Sequence, residues 1–217
     1  MEQRFQAAGC EIIIGCTEAW RALRRTSPKV VGIDTEGVQH VPPLLVQIAY
    51  RDASTGRTFV ILEAPRDGRM SQELVDLLAD STVAKVFCDA ASDTDALGTI
   101  VTNVQDIQSI AERDFEGSKK MGLGALGSKF VFEGGCKKNA KGWKFFAFLK
   151  ERPLAPWPSL VRDAGLCRYA AADAWMTLAV FEQMQSKARP SLPTKPNYQP
   201  NRTNNQTEPL TTPNYQP

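Results

Sequence analysis

Between Lys29 and Glu36 the chain reads Lys-Val-Val-Gly-Ile-Asp-Thr-Glu, a β-branched apolar run that closes on two carboxylates. Such a run favours a buried β-strand. Residues i and i+2 of a strand project to one face, so Asp34 and Glu36 stand side by side at its end. Placing like charges together is costly unless a cation lies between them. A hard divalent metal held by carboxylate oxygens is the natural occupant; a strand end carrying two solvated acids is the alternative. The pattern is short and it recurs. Asp114-Phe115-Glu116 has the same spacing but follows a polar segment instead of an apolar strand, and reads as a solvated loop.

Strand-like and helix-like runs alternate around this segment. Glu11 to Gly15 is a short β-branched run, and Thr17 caps an amphipathic stretch through Arg25 with Trp20 and Leu23 on one side. Lys29 to Asp34, Leu44 to Tyr50 and Thr58 to Leu62 read as three strands in succession. Gln72 to Ala79 is helical, Ala84 to Cys88 is another buried strand, and a helix is expected from Asp93. After a short segment at Val104 to Ile107 the remainder is mostly helical, ending in a stretch from about Ser159 to Gln185. Three early strands followed by alternating strands and helices predict an α/β or α+β domain with a mixed sheet.

Two further acidic elements join Asp34 and Glu36. Asp89-Ala-Ala-Ser-Asp93-Thr-Asp95 follows the strand Lys85 to Cys88, where a carboxylate at a helix start points back over the sheet edge. Tyr169-Ala170-Ala171-Ala172-Asp173 places a phenol and a carboxylate at i and i+4, on one helix face with Cβ atoms about 5–6 Å apart. The intervening alanines let that helix lie close against the sheet.

In this order, the three elements resemble the 3′–5′ exonuclease superfamily of the DEDDy type, its ribonuclease D and Werner-exonuclease-like branch. The resemblance runs from about Glu11 to Gln185. It is carried by Val-Val-Gly-Ile-Asp34-Thr-Glu36-Gly, Leu44-Leu-Val-Gln-Ile-Ala, Lys85-Val-Phe-Cys-Asp-Ala-Ala-Ser-Asp93, Val104-Gln-Asp-Ile, Arg152-Pro-Leu154 and Tyr169-Ala-Ala-Ala-Asp173-Ala. It implies a ribonuclease-H-like fold, a central mixed β-sheet flanked by α-helices. It also implies that Asp34, Glu36, Asp93 and Asp173 bind two divalent ions, Mg²⁺ or Mn²⁺. Asp93 suits the third position by its spacing from the strand, with Asp89 and Asp95 as rivals. Tyr169 would orient the attacking water; with a normal pKa near 10 it is a poor general base. In the sister subclass a histidine precedes the last aspartate by five residues. Here that position is Arg168, and the sole histidine is His40, so the histidine-dependent variant is excluded. The implied activity is hydrolysis of phosphodiester bonds at single-stranded 3′ ends of RNA or DNA, releasing nucleoside 5′-monophosphates. A fold member that has lost activity and serves as an RNA adaptor is the rival, against which the intact acidic set argues.

Other patches carry weaker signals. Gly122-Leu-Gly-Ala-Leu-Gly127 matches the dinucleotide-binding pattern, but no apolar strand precedes it, so it reads as a helix with Leu123 and Leu126 toward the core and glycines at close contacts. Lys137 to Lys150 interleaves lysines with aromatics. It suits a strand-binding wall of phosphate-contacting lysines and a base-stacking aromatic, and it equally suits a helix burying Phe145 and Phe148. Trp143 and Lys144 are its candidate nucleic-acid contacts, together with Thr35 and Arg152.

Composition sets the boundaries. The exonuclease-like domain is expected over residues 1–185 and a Pro/Asn/Thr-rich disordered tail over 186–217, which holds seven of the fourteen prolines and repeats Pro-Asn-Tyr-Gln-Pro at Pro196 and Pro213. That repeat could dock a protein partner or simply solubilise the chain. Of the net charge of +2, the tail supplies +3 and residues 1–185 stand at −1. Without the four candidate ligands the domain is +3, so binding of nucleic acid would be local and metal-dependent rather than driven by bulk basicity. Five scattered cysteines without a Cys-x-x-Cys pair, no apolar run long enough for a bilayer and no secretory leader point to an intracellular setting, cytoplasm or nucleus, and to no membrane partner.

Overall fold

The computed structural model describes residues 4–7, 10–15, 17–37, 42–119, 121–132 and 164–188. Among these residues seven strands form one sheet: β1 (Arg4–Ala7), β2 (Cys10–Ile14), β3 (Val30–Glu36), β4 (Leu45–Arg51), β5 (Thr58–Glu63), β6 (Ala84–Phe87) and β7 (Val104–Asp106). Their order across the sheet is β1-β2-β5-β4-β3-β6-β7. β3, β4 and β5 form an antiparallel meander, while β6 and β7 add in parallel beside β3. The mixed sheet expected from the sequence is therefore present. β1 is an addition: Arg4–Ala7 is too polar to read as a strand, and it becomes one by pairing antiparallel with β2.

Among the described residues six helices cover the sheet: α1 (Thr17–Thr26), α2 (Gln72–Ala79), α3 (Ala90–Leu97), α4 (Ile107–Asp114), α5 (Leu123–Phe130) and α6 (Ala164–Ala188). One layer packs Trp20 and Leu23 of α1, Leu74, Leu77 and Leu78 of α2 and Leu97 of α3 on Val31, Ile33, Val46 and Ile48. The other layer rests on α6. Its Ala170, Ala171, Ala174 and Leu178 meet Leu45, Ala49, Val60 and Leu62, while Met176, Val180 and Met184 meet Val86, α4 and α5. Each fully buried side chain of this kind contributes about 1.5–3 kcal/mol. Because both faces are covered, β4 is buried along almost its whole length, as its near-continuous apolar sequence requires.

Polar ties hold the first layer in register. At the end of β5 the Glu63 carboxylate accepts from Trp20 Nε1 at 2.9 Å, Ser71 N at 2.9 Å and Ser71 Oγ at 2.8 Å. Ser71 in turn caps α2 by accepting from Leu74 N. Gly127, within the decoy glycine motif, lies where an added Cβ would come 2.6 Å from Met176 Sδ, so that glycine serves helix packing as expected.

The most consequential contact in the second layer is at Gly32. A Cβ there would lie 2.5 Å from the Ala174 carbonyl oxygen and 2.8 Å from Leu178 Cβ. α6 thus crosses directly on the backbone of β3, two residues before Asp34. Gly32→Ala would force the helix backbone outward, because a carbonyl cannot rotate away as a flexible side chain can. The expected cost is about 2–3 kcal/mol, which for a domain of this size lowers Tm by roughly 4–12 °C. Thermal unfolding followed by circular dichroism reads this directly, and an unchanged Tm would refute the contact.

Candidate active site

Strand alternation sends Gly32, Asp34 and Glu36 to the face that α6 covers, and Val31, Ile33 and Thr35 to the opposite one. The contact of Gly32 with Ala174 then brings Asp173, the neighbouring residue on α6, to the end of β3. Asp34, Glu36 and Asp173 each offer a carboxylate oxygen, and these oxygens all lie within 4.8 Å of one another. Among the described residues this is the one such group of three. Asp114 of the duplicate Asp-x-Glu pattern stands elsewhere, exposed at the end of α4 and paired with Arg113 at 2.7 Å.

Asp93 reaches the same sheet edge from the other layer. α3 begins at Ala90, earlier than the sequence suggests, which puts Asp93 in its first turn and its carboxylate against β3. There it accepts from the Thr35 hydroxyl at 2.5 Å. It is not one of the three clustered carboxylates, yet its charge is felt by both Asp34 and Glu36. Of its rivals, Asp89 holds the cap of α3 in a left-handed conformation (φ 74°) and is exposed, and Asp95 is exposed as well. Asp93 alone of the three is buried, at 5% exposure. Thr35 is buried, and its hydroxyl is engaged with Asp93. Trp143, Lys144 and Arg152 lie outside the described residues, as does the tail beyond Ala188.

The electrostatics follow from crowding. Burial, then the charges of Asp173, Asp93 and Glu36, raise Asp34 well above the ordinary carboxylate range. Burial, then Asp173 and Asp93, push Glu36 up to about 8. Asp93 is pushed up to about 7 by burial, against the hydrogen bond from Thr35, which favours its anion. Tyr169 is one helical turn before Asp173. Burial and the charges of Asp173, Glu36 and Asp34 raise its phenol above the normal value, so it keeps its proton at any working pH.

Hard carboxylate oxygens from two different elements are the donor set that a Mg²⁺- or Mn²⁺-sized ion takes. Cations would also relieve the repulsion that raises Asp34 and Glu36. The residues present therefore fit such ions.

Two positions outside the candidate set carry buried polar side chains near the cluster. Gln47 is fully buried, with neither its Nε2 nor its Oε1 hydrogen-bonded, and Thr177, one turn beyond Asp173, is fully buried with an unbonded hydroxyl. A buried polar group left unpaired costs about 1–3 kcal/mol. The one sequence signal is a glutamine within the apolar run Leu44 to Tyr50, just as Gly32 is a glycine inside a strand, which marks close approach of another backbone.

Comparison with known proteins identifies the family and the fold. Residues 11–189 match the profile of the 3′–5′ exonuclease family. No curated protein matches the chain. Among solved structures the fold is similar to Escherichia coli RNase D, an exoribonuclease involved in structured RNA processing, at 18% identity and a TM-score of 0.57 over 83% of this chain and 45% of that one. A structure described as the apo form of a nuclease matches at 19% identity and a TM-score of 0.56, over 83% of this chain and 82% of that one. NrnC of Brucella melitensis with bound Mg²⁺ matches at 19% identity and a TM-score of 0.50, over 77% and 79%. The chain spans less than half of RNase D, and at these identities the structural likeness speaks for a ribonuclease-H-like fold. Because the family profile covers most of the chain, including both β3 and α6, this protein belongs to the 3′–5′ exonuclease family and is a hydrolase of that class.

Proposed function

We propose that the protein removes nucleoside 5′-monophosphates from the 3′ end of single-stranded RNA or DNA, with Asp34, Glu36, Asp173 and Asp93 holding two divalent ions, Mg²⁺ or Mn²⁺. The observation that carries this reading is the convergence of Asp34, Glu36 and Asp173 to within 4.8 Å. Bound in pairs, such ions supply a nucleophile from water at neutral pH and charge stabilisation for an in-line phosphodiester displacement.

The chain's own residues do the rest. Asp34 and Glu36 come from one strand face and Asp173 from the helix pressed on it, so the ligand cage is as rigid as the β3–α6 contact. Thr35 holds Asp93 from the other side of β3. Tyr169 keeps its phenolic proton and serves as a hydrogen-bond donor that orients water and not as a base. Trp143, Lys144 and Arg152 remain the proposed contacts to the strand; α6 runs on to Ala188, so the proposed tail starts beyond it and not at residue 186.

Asp34→Asn is expected to lower exonuclease activity on a 5′-labelled single-stranded oligonucleotide by about 10²–10³-fold or more, the scale of losing one charge-stabilising group in an active site. The variant should fold normally, since it removes a charge from a repelling cluster. Wild-type activity should vanish in EDTA, return with Mg²⁺ or Mn²⁺, and fail on a 3′-blocked end. Full activity of Asp34→Asn would overturn the proposal.

Stability should depend on pH in a definite direction. Glu36 and Asp93, at about 8 and about 7, hold protons in the folded state that their unfolded counterparts release above about 4. The metal-free protein therefore loses stability as pH rises from about 4 to about 8. In EDTA, Tm should fall across this interval, and Mn²⁺ should restore it most at the upper end by pairing the ionised carboxylates. A metal-free Tm that rises from pH 5 to pH 8 would contradict the crowded-acid description.

A further inference from the structure

Gln47 occupies the middle of β4, between Leu45 and Ala49 on the face covered by the alanines of α6. It is completely buried, and both atoms of its carboxamide are without a hydrogen-bond partner. An apolar residue of similar length would fill this space without desolvating two polar atoms. Its position explains what the amide has to work with. In the antiparallel register of β3 and β4, Gln47 stands directly opposite Asp34. Directly opposed residues project to the same face, with Cα atoms about 4.5–5.5 Å apart. The amide is therefore on the side of the sheet that carries the acidic cluster, beside Asp34.

We propose that Gln47 is a positioning residue for Asp34: when the site is charged with cations, its Nε2–H donates to the Asp34 carboxylate and fixes that ligand's orientation. This rests on the metal-binding reading of the acidic cluster. An Asp34 carboxylate whose oxygens face cations still has lone pairs on its other side, in a place that water reaches poorly. A donor on the adjacent strand satisfies them without moving the backbone. Metal-bound ligands are commonly held in this way, and losing the outer partner typically weakens metal binding 10–100-fold.

The test is calorimetric titration of Mn²⁺ into the metal-free full chain, alongside the metal-free Tm, for wild type, Gln47→Met, Gln47→Leu and Asp34→Asn. Gln47→Met keeps the length of the side chain, and Gln47→Leu gives a second apolar replacement. Both are expected to bind Mn²⁺ 10–100-fold more weakly than wild type, with a metal-free Tm equal to or above it. Unchanged Mn²⁺ affinity in either variant would overturn the proposal. So would a fall in metal-free Tm without a fall in affinity, which would assign the amide a structural role. If wild type binds no Mn²⁺, or Asp34→Asn binds it equally well, the reading of the cluster itself fails, a result distinct from a Gln47 variant that binds like wild type.

Discussion

The crossing of α6 over β3 at Gly32 is the constraint on which the site depends. A helix and a sheet normally stand apart by the thickness of their side chains, about 10 Å between layers. Here the strand has no Cβ at the crossing and the helix presents Ala170, Ala171 and Ala174, so backbone nearly meets backbone. That closeness lets short side chains on two elements distant in sequence share one small volume. Asp173 could not approach Asp34 and Glu36 across a layer of leucines. The same small residues that look like weak packing are the means by which three carboxylates come within 4.8 Å.

The acidic cluster works against the fold that builds it. Burial and the neighbouring acids raise Asp34, Glu36 and Asp93 above their ordinary range, so ionising them together costs the fold stability. The rest of the domain compensates elsewhere. Glu63 is as buried as Asp93, but it is surrounded by Trp20 and two donors from Ser71, and it ties α1, α2 and β5 together. Two buried carboxylates thus have opposite roles, set by whether the surroundings offer donors or further acids. Tyr169 belongs with the second group, since its phenol stays neutral among anions and is suited to giving a hydrogen bond.

Much of this is legible in the order of residues along the chain. Asp34 and Glu36 follow from period-two alternation at the end of an apolar run, and Tyr169 and Asp173 from i,i+4 spacing on a helix. The strands β2 to β6 and the helices α1, α2 and α6 fall close to where periodicity puts them, whereas β1 exists only through its pairing with β2. The helix start at Ala90 instead of Asp93 shows the usual weakness of boundaries, since an aspartate in left-handed conformation at position 89 carries no distinct sequence sign. The duplicate Asp114-Phe115-Glu116 and the glycine motif at Gly122 are separable from functional sites by the elements that precede them.

What the sequence alone determined was the family and a candidate acidic set: side chains in a spacing that only strand and helix periods convert into shared faces, together with the β-branched runs that require a covered sheet. Only the tertiary structure decided which of Asp89, Asp93 and Asp95 is buried beside β3, that Thr35 spends its hydroxyl on Asp93, and that Gln47 lies opposite Asp34 with an unused amide. The reason is physical. Periodicity is local and is written in neighbouring residues, whereas burial, register and charge coupling arise between segments whose separation in the chain says nothing about their distance in space.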